Sequence, residues 1–374
     1  MKLSIALIEP FYAGSHKKWC DDLVHHSRHD ITLFSLPGRH WKWRMQGSAI
    51  PLANHLNESE NSFDLIVVTD FLNLSLFKSL LKKELSGIPV IIYFHENQLA
   101  YPWSPTDPDP ALGRDLAYGF INFSSALVAD RVLFNSSYNR SSFLEGLKQL
   151  FKKLPDYNDT NSIKSIELKS KVLPLGLNLK YFDRVKKTHP AVSSLPTILW
   201  NHRWEYDKNP ELFFEALIQL KENNISFNLI VLGAANMQSP NIFNEAKEAL
   251  KDNILHWGFC KERDEYAKWL CISNILPVTS NQDFFGISVV EAIYTGCIPL
   301  LPMRLAYSDH LPSGSSKQFY DTDLEFHTKL EQLCQNWPVE AHQAWPKHVS
   351  QYDWSHMIQR YDQAFNGIVS NTQT

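Results

Sequence analysis

No stretch of this sequence approaches the roughly 20 consecutive apolar residues of a membrane span, so a lipid-embedded chain is not expected. Cysteine is scarce. Its five residues, Cys20, Cys260, Cys271, Cys297 and Cys334, are scattered and form no C-x-x-C pair. That argues against a disulfide framework and against a thiolate zinc site. Positive charge is not in excess either, and the net charge of −4 means that contact with a polyanion would need a local patch. The first apolar run ends at Glu9 and Pro10, too early for a signal peptide. No G-x-G-x-x-G follows it, the small-residue turn Ala13-Gly14-Ser15 standing there instead, which argues against a dinucleotide cofactor. Internal repeats and low-complexity tracts are absent too. These exclusions leave a reduced, cytoplasmic enzyme of ordinary composition, 44% hydrophobic and 20% charged, as the expectation.

What the chain does contain is two series of short apolar runs. The first is LSIALI (3–8), FDLIVVTD (63–70), PVIIYFH (89–95) and DRVLFNS (130–136). The second is TILWNHR (197–203), FNLIVLG (227–233), ILHWG (254–258), SNILPVTS (273–280) and CIPLLP (297–302). Continuous Val/Ile/Leu runs separated by helical stretches mark strands covered on both faces of a parallel sheet. At 374 residues the chain exceeds what one core usually supports. The expected architecture is therefore α/β, with two doubly wound Rossmann-like domains spanning 1–185 and 186–350. The segment 177–196 reads as an interdomain linker and 155–168 as a surface loop. Residues 352–365 carry helical spacing of Trp354, Met357, Ile358, Tyr361 and Phe365.

Ligands of such sheets gather beyond the carboxyl ends of the strands, and several motifs lie there. In SNQDFFGISVVEAIYTGCIP (280–299), Asp283 and Glu291 flank the turn Phe284-Phe285-Gly286. Ser288 and Glu291 fit a capping box for the helix that Gly296 ends. The same helix start, at Ile287 and Ser288, suits an anion. Both readings stay open on the local pattern, and capping leaves Asp283 unexplained. Arg203 and Lys208 follow the first strand of the second series, where a guanidinium and an ammonium suit a pyrophosphate, or simply pair with Glu205 and Asp207. His95, with Glu96 and Asn97, follows a strand of the first series, where a lone histidine is more often structural. In RHWKWRMQ (39–46), Trp41 and Trp43 alternate with Lys42 and Arg44. Aromatic and cationic groups together suit a base and its phosphate, or a tryptophan pair packs under a loop with the charges outward; a β-period segment, with both tryptophans on one face and both cations on the other, favours neither reading. The D-x-D letters at 107–109 and 321–323 follow no clear apolar strand, so no metal site is expected.

Together NHRWEYDKNP (201–210), the run from ILHWG through CIPLLP (254–302) and the terminal helix resemble family-4 GT-B glycosyltransferases. The motif D-x7-E, Asp283 to Glu291, resembles that family's E-x7-E with a side chain one methylene shorter at its first position. The resemblance implies that the two domains face each other across a cleft and that the helix of 351–374 packs back on the first. It implies that Glu291 binds the nucleotide ribose and Asp283 faces the donor sugar. Arg203 and Lys208 would meet the diphosphate, Phe284–Ser288 would offer backbone N–H groups, and Trp257, Gly258 and Phe259 would wrap the nucleobase. IEPFYAGSHKKW, LPGRHWKWRMQGSA, FHENQLAYP and FNSSYNRSSF resemble, more narrowly, the tRNA-queuosine mannosyltransferases. That likeness implies a retaining, metal-independent transfer of mannose from GDP-mannose to queuosine in a tRNA of the tRNA-Asp type. His95 would lie by the transferred sugar and Gly14 by the leaving diphosphate. Ser15, His16, Trp41, Lys42, Trp43, Arg44, Glu96 and Asn97 would serve the acceptor. The alternatives are another nucleotide sugar with a lipid or small-glycoside acceptor, and a catalytically weak tRNA-binding module.

Overall fold

Both series of apolar runs form parallel sheets in the computed structural model, which describes residues 1–104, 106–156, 160–188, 194–235, 239–338 and 344–372. The first sheet contains β1 (Ser4–Tyr12), β2 (Asp30–Pro37), β3 (Leu65–Thr69), β4 (Val90–Phe94), β5 (Arg131–Phe134) and β6 (Ser170–Val172), in the order β2-β1-β3-β4-β5-β6. The second contains β7 (Thr197–Trp200), β8 (Asn228–Leu232), β9 (Ile254–Gly258), β10 (Ile275–Pro277), β11 (Ile298–Pro302) and β12 (Phe319–Tyr320), in the order β12-β11-β10-β7-β8-β9. The described strand pairings are all parallel. Each order reverses direction once, between β1 and β3 in the first sheet and between β7 and β10 in the second. Those reversals are where the helices on opposite faces part and leave room beyond the strand ends.

Burial explains which strands the sequence announces. β3, β4, β7 and β11 are buried at every residue, so their runs are apolar throughout. The strands without such a signal are β2, β6 and β12, and each lies at a sheet edge. An edge strand is covered less and needs less apolar sequence; β2 is half-buried along most of its length, and β6 and β12 have only three and two residues.

The chain divides into two compact units, Met1–Leu177 with the chain from Trp354 onward, and Asn178–Asp353. The changeover precedes the expected boundary at 185 because the start of the supposed linker is a helix of the second unit. In Tyr181–Thr188, Tyr181 donates to Asp264, Arg184 pairs with Asp264 at 2.7 Å, and Asp183 accepts from Tyr294 at 3.0 Å. Residues 189–193 of that stretch lie outside the described residues. The supposed loop 155–168 likewise contains a helix, Thr160–Leu168, anchored by buried Ile163 and Ile166, and its residues 157–159 lie outside the described ones. The segment 39–46 is helical over Trp41–Gly47, so its two tryptophans do not share a β face.

The terminal helix Trp354–Thr372 buries Trp354, Met357, Tyr361 and Phe365 on one stripe, as their spacing predicts; the expected Ile358 is only half-buried, and Ile368 continues the stripe. Within the first unit Tyr361 accepts from Trp19 Nε1 at 3.0 Å and bonds Tyr93 at 2.9 Å. Ser27 donates to Asp362 at 2.7 Å, and Trp354 donates to Asp22 at 3.2 Å. Gly176 lies flat against Trp354, where a Cβ would come within 2.3 Å of the indole.

Candidate active site

In the second unit the reversal between β7 and β10 gathers the charged residues. β7 runs out into Asn201, His202 and Arg203, and β10 into the loop that carries Gln282 and Asp283. Lys208 is buried beneath that loop. Its Nζ donates to the Gln282 carbonyl at 2.5 Å and to Asp283 Oδ1 at 3.0 Å, and lies 3.1 Å from Asp207. Tyr307 donates to Asp283 Oδ2 at 2.5 Å. Burial opposes ionisation of Asp283, but the charge of Lys208 outweighs it and holds the carboxyl below its usual range. Burial likewise lowers Lys208, yet Asp283 and Asp207 outweigh it and raise the ammonium. His202, fully buried, is pushed down to about 4 by burial despite the attraction of Asp283, so its imidazole is neutral. Lys208 and its two carboxylates together carry one net negative charge.

The helix Ile287–Thr295 starts beside this cluster. Gly286, at φ 82°, forms its N-cap without any side-chain cap, and Gly296, at φ 111°, closes it. The expected capping box is thus not formed. Ser288 Oγ bonds His202 Nδ1 at 3.2 Å, and Glu291 accepts from Tyr266 at 2.8 Å. Phe284 and Phe285 are buried, Phe285 against His310 and Tyr352, so this turn presents backbone rather than rings. First-turn N–H groups of a helix lack intrahelical acceptors, which makes this start an anion site.

Next to it lies a cavity of about 570 Å³ whose lining includes Asn201, His202, Arg203, Glu205, Gly233–Ala235, the turn Phe259–Glu262, Arg263 and Tyr266. Gly233 closes its floor at φ 121°, and a Cβ there would lie 2.5 Å from the His202 carbonyl. Arg203 is largely exposed and pairs with Glu205 at 3.0 Å. Of the three residues expected around a base, Phe259 lines the cavity and is 67% exposed. Gly258, at φ 131°, makes the preceding turn, whereas Trp257 packs on Phe214 and Trp204. Glu205, Tyr266 and Ala234–Ala235 escape the sequence reading. Gly233 directly after an apolar strand was the one signal for this wall.

In the first unit four ionisable groups are buried at the ends of β1, β3 and β4. Glu9, buried near the end of β1, accepts from the Phe11 amide at 2.7 Å and bonds His16 Nδ1 at 3.2 Å. Asp70, just beyond β3, accepts from the His95 amide at 2.9 Å. His95 follows β4, its ring 4.2 Å from that of His16, and its Nε2 has no hydrogen-bond partner among the described residues. Burial depresses His16, but Glu9, helped by the charges of Asp70 and Glu96, reverses this and lifts it to about 9. Burial, reinforced by the charge on His16, holds His95 well below its ordinary value, so His95 is neutral beside a charged His16. Asp70 is raised, chiefly by burial. Glu9 and Asp70 were legible only as charges that end apolar runs. Gly14, at φ 52°, and Ser15 are exposed and open the helix Gly14–His26. Glu96 accepts from Gln98 at 2.7 Å, while Asn97 is fully buried and fixes the loop through Asn139 and the Ala100 amide.

The Trp41–Gly47 helix separates its four expected contacts. Trp41 packs with Phe71, Trp103 and Tyr118, and Lys42 is bound by Asp107 at 2.7 Å and Asp109 at 2.5 Å. The D-x-D at 107–109 thus engages a lysine, and Thr322 of the second D-x-D caps the helix Asp323–Gln335. Arg44 donates to the Pro37 carbonyl at 3.1 Å. Trp43 is 62% exposed. Among the described residues two clusters bring metal-ligating atoms within 4.8 Å of one another, Glu9–His16–His95 and His256–Cys260–Glu265. The first is arranged as a Glu9–His16 ion pair with the His95 ring tilted against His16. All five cysteines are buried and free, and no described helix is long and apolar enough to cross a membrane.

Residues 4–177 match the family described as tRNA-queuosine alpha-mannosyltransferase N-terminal, and residues 182–302 match glycosyl transferases group 1. A Drosophila melanogaster protein named tRNA-queuosine alpha-mannosyltransferase is 34% identical over 340 residues, covering 89% of this chain and 87% of that protein. Sucrose-phosphate synthase from Thermosynechococcus elongatus has a TM-score of 0.70 at 14% identity, covering 99% of this chain and 100% of its own. A UDP-forming trehalose-phosphate synthase from Burkholderia xenovorans gives 0.66 at 14% identity, with complete coverage of both chains (100% and 100%). Anabaena HepE in complex with UDP gives 0.66 at 13% identity, covering 98% and 100%. At these identities the structural likeness shows the fold, which is GT-B.

Proposed function

The chain belongs to the tRNA-queuosine alpha-mannosyltransferase family and is a glycosyltransferase, and we propose that it moves mannose from GDP-mannose to the queuosine nucleoside of a cytoplasmic tRNA, with retention and without a metal ion. The observation that carries this reading is the placement of an uncapped helix start beside a cavity at the reversal of the second sheet. The cavity receives the nucleoside, and Glu291, oriented by Tyr266, accepts from the ribose. Diphosphate charge is met by the first-turn N–H groups at Ile287 and Ser288 and by the Arg203 guanidinium.

Lys208 and Asp283 have a different part. The ammonium is already surrounded by Gln282, Asp283 and Asp207, and the cluster is net negative. Its excess carboxylate charge stabilises the sugar as it becomes oxocarbenium-like, while the helix start and Arg203 stabilise the departing diphosphate. The shorter side chain of Asp283 suits this role, since charge acts through space where a hydrogen bond would need reach. The leaving phosphate helps take the proton from the incoming hydroxyl, so attack occurs on the face it vacates and the configuration is kept. In the first unit neutral His95 offers Nε2 to a sugar hydroxyl, and Trp43 offers its exposed face to a base. The relative's name supports tRNA as the acceptor.

The test is incubation of queuosine-containing tRNA with GDP-mannose, GDP-glucose or UDP-glucose, with and without added Mg²⁺ or Mn²⁺, followed by nucleoside mass analysis and α-mannosidase digestion. A hexose added from GDP-mannose without added Mg²⁺ or Mn²⁺ and removed by α-mannosidase is expected. Transfer only from a UDP-sugar, transfer only with added Mg²⁺ or Mn²⁺, or an α-mannosidase-resistant product would each refute its part of the proposal.

A further inference from the structure

A second cluster of ligating side chains reaches the cavity wall through Cys260, and neither the proposed transfer nor the family match gives it a role. His256 is the middle residue of β9, Cys260 lies in the turn after that strand, and Glu265 is on the first turn of the helix Arg263–Ile272. The His256 Nε2 and Cys260 Sγ atoms are 3.6 Å apart. One carboxylate oxygen of Glu265 lies within 4.8 Å of both. We propose that His256, Cys260 and Glu265 form a Zn²⁺ site that clamps the turn Phe259–Glu262 in the wall of the cavity.

The spacing carries this inference. Sulfur and nitrogen bound to one tetrahedral zinc, at about 2.3 Å and 2.0–2.1 Å from the metal, stand about 3.6 Å apart. The two atoms already keep that separation. The His256 ring is held by stacking on Trp269, with centroids 4.9 Å apart at 31°. Its Nε2 also approaches the Gly258 carbonyl at 3.2 Å, a contact that the metal would replace. Glu265 is exposed and needs only a rotamer change to close the third position. Three ligands of this type leave a fourth position for water, as in open zinc sites.

Thiolate, imidazole and carboxylate together favour zinc over the hard cations, which prefer all-oxygen shells. Burial, then the charge of Glu265, push the Cys260 thiol up to about 11, so zinc must displace its proton on binding. The bound site is neutral, the thiolate and carboxylate offsetting the metal. Its effect on the cavity is therefore mechanical, fixing β9, the turn and the helix to one another. The sequence hid the cluster because its spacing is H-x3-C-x4-E and involves no cysteine pair.

The test is cobalt titration of the full chain stripped of metal by chelation, with Zn²⁺ displacement and thermal unfolding as second readouts. One Co²⁺ per chain is expected, with the intense spectrum of a tetrahedral site and a thiolate-to-cobalt charge-transfer band, both abolished by Zn²⁺. Cys260→Ser should lose the charge-transfer band. His256→Gln and Glu265→Gln should each bind Co²⁺ at least about tenfold more weakly, the smallest loss that changes around a metal's ligands cause. Zn²⁺ should raise the unfolding midpoint of the wild type and not that of Cys260→Ser. The proposal is overturned by absence of binding, by the pale spectrum of an octahedral site, or by a charge-transfer band that survives Cys260→Ser. Should Cys260→Ser fail to fold, equal Co²⁺ affinity of Glu265→Gln and wild type overturns it alone. Since every readout is metal binding, failure would leave the transfer reaction untouched.

Discussion

Replacing Lys208 by Met separates two functions that the sequence pairs as one basic motif. The ammonium is buried, with Gln282, Asp283 and Asp207 within 3.1 Å. Methionine keeps the length and removes the charge, leaving two buried carboxylates facing each other without a cation. Breaking a buried pair in this way costs about 3–5 kcal/mol. For a unit of this size that is a fall of about 6–20 °C in the unfolding midpoint. The cost depends on pH in a defined direction. In the wild type Asp283 is held below its usual range, so its contribution is complete above the unfolded value near 3.9 and is lost only as pH falls through the lower folded value. Between pH 7 and 5 it is therefore constant. In the variant burial acts without Lys208, the carboxyls take up protons sooner, and the gap to wild type narrows toward pH 5. Arg203→Ala supplies the contrast. Arg203 is largely exposed and its ion pair with Glu205 lies at the surface, so its removal should change stability by no more than about 1 kcal/mol. It should lower kcat/KM by about 10- to 150-fold, the worth of a charged hydrogen bond. Thermal unfolding followed by tryptophan fluorescence at pH 7 and 5, beside transfer kinetics, measures both. A Lys208→Met midpoint within about 2 °C of wild type, or an equal deficit at both pH values, would refute the reasoning.

Two further substitutions probe the strand ends. Gly233→Ala places a Cβ 2.5 Å from the His202 carbonyl at φ 121°, which should cost about 1–3 kcal/mol in urea unfolding; an unchanged midpoint would show that the floor of the cavity gives way. Glu9→Gln removes the carboxylate that contributes most to raising His16 to about 9, leaving only Asp70 and Glu96 against burial, so the ring should titrate well below its wild-type value by NMR. The wild-type contribution of His16 is complete below about 6.5 and lost as pH rises through about 9, and the variant should show no such alkaline loss. A His16 titration unaltered in Glu9→Gln would contradict the ion pair.

The sequence announced strands in proportion to their burial. Each strand covered on both faces showed as a continuous apolar run, because every residue met a helix on one side or the other. β2 is only half-buried and interrupts its apolar residues with polar ones, and β6 and β12, of three and two residues, are too short to show a run. The same physics hid the helices Thr160–Leu168 and Tyr181–Thr188. Each buries only two residues of one narrow stripe, Ile163 with Ile166 and Phe182 with Val185, and polar residues fill the rest. In RHWKWRMQ the alternation of aromatic and cation suggested a period of two. The helix instead sends Trp41 inward and Trp43 outward, and Lys42 finds two carboxylates more than sixty residues away. Such partners are set by tertiary structure and leave no local trace.

The site was legible where charge stood against an apolar background, and misleading where a motif had two uses. The letters S/T-x-x-E occur at Ser288–Glu291 and at Thr322–Glu325, and on local grounds both promise a capped helix. At the second the promise holds. Thr322 Oγ1 accepts from the Glu325 amide at 3.2 Å, and Glu325 accepts from the Asp321 amide at 2.8 Å. At the first, Gly286 at φ 82° brings the chain into the helix two residues before Ser288. A residue already inside the helix cannot cap it, so the hydroxyl turns to His202 and the carboxylate to Tyr266. The helix Ile287–Thr295 is therefore left without a side-chain cap, as are Pro210–Glu222, Ile242–Ala249 and Arg263–Ile272, but here the residue types for a cap worth about 1 kcal/mol were at hand. Stability alone would have set Ser288 at the N-cap. Its displacement by a glycine turn leaves the first-turn N–H groups open, as the proposed diphosphate contact requires.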